Sequence, residues 1–162
     1  MNKIAKFEKV SLNEFNNTNL STSVYNEIKL PKRATIGSAG YDFYSPIDIE
    51  LKPGETFKVP TGIRAKIDNG WVLCIFPRSG LGFKYRLQLD NTTGIIDSDY
   101  YNALNEGHIF IKITNDSKEG KTVVIKAGEA FAQGIFFPFG VTVDDDAEGI
   151  RVGGFGSTNK MN

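Results

Sequence analysis

The strongest constraint on this chain is a hydrophobic period of two. Ile47-Asp48-Ile49-Glu50-Leu51 alternates apolar and polar residues, and Phe110-Ile111-Lys112-Ile113 does so less strictly. Alternation sends successive side chains to opposite faces, so each run reads as a strand with one face on a core. Trp71-Val72-Leu73-Cys74-Ile75-Phe76 is continuously apolar and ends at Pro77, which predicts a strand buried on both faces. Turn signals separate the runs: Lys52-Pro53-Gly54-Glu55, Asp68-Asn69-Gly70, Lys118-Glu119-Gly120 and Lys126-Ala127-Gly128. Short strands spaced in this way predict an all-β sandwich, barrel or jelly roll. Helical turns are expected only over residues 79–84 and, weakly, within 99–106. Residues 13–23 are polar and Asn-rich and read as a loop. Residues 151–162 are rich in Gly and Ser, lack apolar periodicity and read as a mobile arm. The expected organisation is one β domain over 1–150, with a variable N-terminal segment at 1–27 and the arm at 151–162.

Charge and cysteine content narrow the function classes. Lys plus Arg and Asp plus Glu both total 19, so no global positive field attracts nucleic acid. A small anionic ligand needs only a local cluster of donors and stays open. Cys74 is the only cysteine, which excludes an intrachain disulfide and a Cys-based zinc cluster. No apolar run reaches the roughly 18 residues of a membrane span, and the N-terminus lacks an apolar signal core. A cytoplasmic location without membrane contact is the expectation.

Four segments can carry chemistry. In Ser38-Ala39-Gly40-Tyr41-Asp42-Phe43, Asp42 either caps an edge turn or holds water around a metal ion. In Pro77-Arg78-Ser79-Gly80-Leu81-Gly82, a strand gives way to a helical turn. Either this is a plain connection with a solvated Arg78, or the guanidinium, the Ser79 hydroxyl and free N–H groups cradle phosphate. The P-loop pattern of ordinary nucleotide-binding folds is absent. In Gly94-Ile95-Ile96-Asp97-Ser98-Asp99-Tyr100, Asp97 either opens a surface turn or acts as a base made stronger by its apolar setting. In Gly153-Gly154-Phe155-Gly156-Ser157-Thr158, a Gly-rich tail is either unstructured or wraps a polyphosphate with its N–H groups, with Phe155 stacking on a base.

In this order, and with Gly128-Glu129-Ala130-Phe131-Ala132-Gln133 as a weaker fourth member, the segments resemble the five motifs of the trimeric deoxyuridine triphosphatase family. The resemblance runs from about Leu30 to Asn159, and the second and fifth motifs match nearly verbatim. It implies a distorted β jelly roll (β-clip type) that assembles as a homotrimer, each active site built from three chains. It implies Mg²⁺-dependent hydrolysis of dUTP to dUMP and pyrophosphate, which keeps uracil out of DNA and supplies dUMP for thymidylate synthesis. By the same resemblance Asp97 activates the attacking water. Arg78, Ser79 and Gly80 grip the phosphates, with Gln133 near them. Asn91, Gly94, Ile95, Ile96, Tyr100 and Gly107 enclose the deoxyuridine. Arg151, Phe155, Gly156, Ser157 and Thr158 close over it from the arm. Asp42 acts on the Mg²⁺ water shell, the metal being held mainly by the triphosphate. Tyr100 under the sugar excludes a 2′-OH, and close backbone near Gly107 reads uracil and rejects a 5-methyl group.

The chain departs from the family pattern in three places. Tyr101-Asn102-Ala103-Leu104-Asn105-Glu106 is inserted before Gly107, beside the uracil pocket. Ala130 stands where the family usually has Arg. Arg151 lies one residue closer to its Gly pair than usual.

Other residues invite roles that the sequence does not support. His108 reads as a strand-surface residue, Cys74 as a packed thiol, Trp71 as core and Asp144-Asp145-Asp146 as solvated acids. Two rivals remain. One is a dCTP deaminase-like enzyme of the same fold, which needs a catalytic Glu rather than Asp97 and Tyr100. The other is a regulatory dUTP-binding protein, with a protein partner docked on the insertion or the N-terminal segment.

Overall fold

Of the 162 residues, the computed structural model describes 2–153. The elements follow one another as β1 (Ala5–Lys9), α1 (Leu12–Asn16), α2 (Thr22–Glu27), β2 (Lys32–Arg33), β3 (Tyr41–Tyr44), β4 (Ile49–Leu51), β5 (Thr56–Pro60) and β6 (Ile63–Ile67). Then come β7 (Trp71–Pro77), α3 (Ser79–Tyr85), β8 (Leu87–Leu89), β9 (Gly94–Ile96), a 3-10 turn (Ser98–Asn102), β10 (Phe110–Asn115), β11 (Val123–Ile125) and β12 (Ala130–Pro138). The fold is all-β, and every pairing among the described residues is antiparallel. The largest sheet runs β2-β3-β12-β7-β9, the next β5-β10-β8, and two ribbons pair β1 with β6 and β4 with β11.

The period-two runs fold as their pattern dictates. Ile49 and Leu51 are buried while Glu50 faces water, and Ile111 and Ile113 are buried while Lys112 is exposed. The turn at 68–71 closes with Trp71 N–H donating to the Asp68 carbonyl at 3.3 Å, and Gly70 takes φ +82° there. Inward side chains of the two main sheets, among them Phe43, Leu73, Ile75, Phe131, Val59 and Ile113, meet in one core.

The structure corrects three expectations. Strand β7 is not buried on both faces: Leu73 and Ile75 are fully buried, but Trp71, Val72, Cys74 and Phe76 are half-buried. Only one side of β7 meets the core, and the single chain covers the other in part. Cys74 is thus less packed than expected, although burial, helped by the nearby Asp97 charge, pushes its thiol pKa up. Residues 13–23 are not a loop but contribute to α1 and α2. Ser11 caps α1 by accepting from the Glu14 N–H at 3.1 Å, and Ser21 caps α2 by accepting from the Val24 N–H at 3.4 Å. The Asn-rich composition hid these caps, and buried Phe15 and Ile28 pin the segment to the core. His108 is not on the surface but fully buried. Counting by twos from Ile109 and Ile111 puts His108 outside, but β10 starts only at Phe110, so the alternation does not extend back to it.

The expected turn over 79–84 is α3, and within 99–106 only the 3-10 turn forms. Asp144, Asp145 and Asp146 are exposed.

Candidate active site

Two groups of side chains converge, each positioned by strand register. In the first, Gln133 at the middle of β12 faces Asp42 on β3 and Phe76 on β7. Its Nε2 donates to the Pro77 carbonyl at 3.1 Å, where β7 ends. Gly40 leaves room for it, because a Cβ there would lie 2.5 Å from Gln133 Oε1. Arg78 follows Pro77, and its Nε lies 3.2 Å from Asp42 Oδ1. The Arg78 side chain is 44% exposed, so much of the guanidinium still faces solvent. Arg78 is the N-cap of α3 without capping it through its side chain, so the first N–H groups of α3 have no intrahelical partner. Ser79 and Gly80 open that helix and are exposed. A cleft of about 440 Å³ beside α3 is lined by Phe76, Arg78, Ser79, Phe83, Arg86 and Gln88.

The second group follows β9. Gly94 pairs with Ile75, and a Cβ on it would approach Ile75 Cβ to 3.1 Å, so the two strands pack closely. The Asn91 amide lies near the same position, 3.9 Å from it. Ile96 points into the core and Ile95 out, 53% exposed. Asp97 leaves the strand as the N-cap of the 3-10 turn, with its side chain 49% exposed. Among the described residues of one chain, apolar side chains therefore do not enclose this carboxylate. Asp97 meets a guanidinium instead: Arg151 Nη2 donates to its Oδ2 at 2.6 Å, and Arg151 Nε donates to Asp99 Oδ1 at 2.7 Å.

Tyr100 is 4% exposed, and its hydroxyl donates to the His108 carbonyl at 2.6 Å while accepting from Asn105 Nδ2 at 2.9 Å. Burial raises its pKa, so the phenol stays neutral. Gly107 has φ +72°, and a Cβ there would sit 2.7 Å from the Tyr100 carbonyl oxygen. Only glycine closes this hairpin against the tyrosine.

The sequence-predicted residues thus fall into two sets. Asp42, Arg78, Ser79, Gly80 and Gln133 form one; Asn91, Gly94, Ile95, Ile96, Asp97, Tyr100, Gly107 and Arg151 form the other. Among the described residues no hydrogen bond or ion pair joins them. Phe155, Gly156, Ser157 and Thr158 lie outside the described residues. Sequence reasoning missed Glu14 and Arg64, which meet the Tyr100–Gly107 loop, and Glu106 within it, which reaches Ser11. A signal for the first was present: Ser11-Leu12-Asn13-Glu14 has the spacing of a capping box.

A family model described as dUTPase matches residues 26–159. The chain belongs to the dUTPase family. A deoxyuridine 5′-triphosphate nucleotidohydrolase of Lactococcus lactis is 44% identical over 134 residues, 81% of this chain and 88% of that one. The crystal structure of dUTPase from Streptococcus mutans superposes with a TM-score of 0.67 at 39% identity, covering 86% of this chain and 98% of that one. A mutant dUTPase of phage phi11 of S. aureus, whose structure is described as revealing the coordination of a structural Mg(II) ion, shares the fold at 22% identity and a TM-score of 0.66. It covers 91% of this chain and 98% of its own. The all-β jelly roll implied by the motifs is thus the dUTPase fold.

Proposed function

We propose that the chain is a dUTP diphosphatase, hydrolysing dUTP to dUMP and pyrophosphate by attack of water on the α-phosphorus. The observation that carries this reading is the setting of Asp97. A half-exposed carboxylate leaves β9 next to a buried tyrosine and a glycine-closed hairpin, with an arginine of the arm hydrogen-bonded to it.

In this reading Asp97 orients water and takes its proton as the new P–O bond forms and the bond to pyrophosphate breaks. Arg78, the Ser79 hydroxyl and the Gly80 N–H neutralise the phosphates, Gln133 stands beside them, and Arg151 follows the γ-phosphate. Asn91, Gly94, Ile95, Ile96, Tyr100 and Gly107 surround the deoxyuridine, and Phe155, Gly156, Ser157 and Thr158 cover it. A base with the wrong donor pattern leaves buried polar groups unpaired there, which rejects dCTP strongly.

Asp42 suits Mg²⁺ held mainly by the substrate. Among the described residues no three His, Cys, Asp or Glu side chains converge on one point. Mg²⁺ usually keeps several of its waters, and Asp42 would act on that water shell rather than on the metal itself. When bound, Mg²⁺ spreads the charge of the triphosphate and stabilises departing pyrophosphate.

Membership of the dUTPase family supports a homotrimer whose site is shared between copies. No described helix is long and apolar enough to cross a membrane.

The test is pyrophosphate release from dUTP with Mg²⁺, beside dTTP, dCTP and UTP, for wild type and Asp97→Asn. Turnover confined to dUTP, and reduced roughly 10²- to 10⁴-fold in the variant, is expected for loss of a general base. Ammonia release from dCTP, or equal turnover of UTP, would overturn the reading.

A further inference from the structure

The N-terminal segment and the inserted loop are built into each other around His108. Both ring nitrogens of this buried imidazole are engaged. Nε2 accepts from the Gly62 N–H at 2.9 Å, so the proton sits on Nδ1, and that N–H faces Glu14 Oε1 at 3.2 Å. The backbone of the same residue is tied to the Tyr100 loop: its N–H donates to the Asn105 carbonyl at 3.0 Å, and its carbonyl accepts from the Tyr100 hydroxyl at 2.6 Å. Gly62 is in turn pressed by the N-terminal segment, since a Cβ there would lie 2.3 Å from Ile28 and 3.3 Å from Phe15.

The helix cap shows that this coupling is specific. In a capping box the third helical residue, here Glu14, returns to the N–H of the capping serine. Glu14 instead turns to His108. The Ser11 N–H donates to Glu106 Oε1 at 2.9 Å, and Ser11 Oγ donates to Glu106 Oε2. Glu106 reaches this cap from 95 residues away in sequence. Arg64 completes the underside: its guanidinium stacks 3.6 Å from the Tyr101 ring centroid and donates to the Tyr101 carbonyl at 2.8 Å.

We propose that Glu14 and His108 are positioning residues for nucleoside recognition, with α1 holding the Tyr100–Gly107 loop in register to receive deoxyuridine. The inference rests on the reading of that loop as the deoxyuridine pocket. Neither side chain touches the phosphate group of residues at Asp42 and Arg78. Loss of the clamp therefore weakens binding of the nucleoside part and leaves the phosphate end unchanged.

The experiment compares wild type, Glu14→Ala, Glu14→Gln and Glu106→Ala, all assayed well below their melting temperatures. It reads KM and kcat for dUTP, and inhibition by dUMP and by pyrophosphate. Glu14→Ala is expected to raise KM and the dUMP inhibition constant together, about five- to tenfold, the worth of roughly one hydrogen bond. Its kcat should change less than twofold, and pyrophosphate inhibition should not change. Glu14→Gln retains an acceptor for Nδ1–H and should restore wild-type KM. Glu106→Ala changes the rim rather than the core; it should shift KM in the same direction and serves if Glu14→Ala does not fold.

Lower stability with unchanged KM, or equal weakening of dUMP and pyrophosphate, would overturn the inference while the enzyme reading stands. A wild-type protein inactive on dUTP would overturn both.

Discussion

Arg151, at the start of the arm, holds the carboxylate of Asp97 through a 2.6 Å hydrogen bond within one chain. The same guanidinium spans to Asp99, so it bridges two acids 54 and 52 positions back in sequence. The Asp97 side chain is half-exposed, and ion pairs this open contribute about 1 kcal/mol or less. A triphosphate offers the arginine several charged oxygens in place of two carboxylates. In the proposed reading, substrate phosphates draw Arg151 away from Asp97 and so free that carboxylate for water.

Removal of the arm by truncation after Ile150 is therefore expected to leave folding nearly intact and to reduce kcat/KM for dUTP at least tenfold. The Arg151 contacts are few and partly solvated, whereas a charge-assisted contact to phosphate contributes about 1.5–3 kcal/mol. Thermal unfolding beside pyrophosphate release tests this. A truncated chain that hydrolyses dUTP at the full rate would remove the arm from the mechanism.

Arg78→Lys is expected to lower kcat/KM roughly 10- to 100-fold despite preserving charge, because a lysine cannot reproduce the planar fork on phosphate. Asp42 keeps a cationic neighbour, so the melting temperature should barely move. Steady-state kinetics showing only a small change would mean that Arg78 supplies charge rather than geometry.

Gly107→Ala combines a positive φ with a Cβ 2.7 Å from the Tyr100 carbonyl and 2.8 Å from Tyr101 Cα. A left-handed alanine alone costs about 1–2 kcal/mol, and both atoms it meets are backbone. We expect a melting temperature lower by several degrees, at about 2–4 °C per kcal/mol for a domain of this size. KM for dUTP should rise as well. Calorimetry with unchanged melting would show that the hairpin relaxes.

Stability should fall on acidification through His108. Burial depresses its pKa below the ordinary 6.5, outweighing the Glu14 hydrogen bond and the Glu14 and Glu106 charges, while Lys58 lowers it further. The unfolded chain therefore binds a proton that the folded chain refuses. This contribution is fully present above pH 6.5 and is lost as pH falls towards the depressed folded value. Urea unfolding at several pH values between neutrality and pH 5 should show the decline, and His108→Gln should flatten it.

The all-β class was legible because alternation and turn chemistry are local: Ile49, Leu51, Ile111 and Ile113 are buried where period two puts them. The candidate-site residues came from five short motifs in a family-like order, because each run taken alone also reads as a plain turn, cap or tail. What the sequence could not reveal are partnerships across long separations. Glu106 caps α1, Glu14 turns from its own cap to His108, and Arg151 finds Asp97, none of which any local window contains. The same limit misread His108 and the half-covered face of β7. Burial is decided by what the rest of the chain brings alongside a residue, and local pattern reports only which way a side chain points.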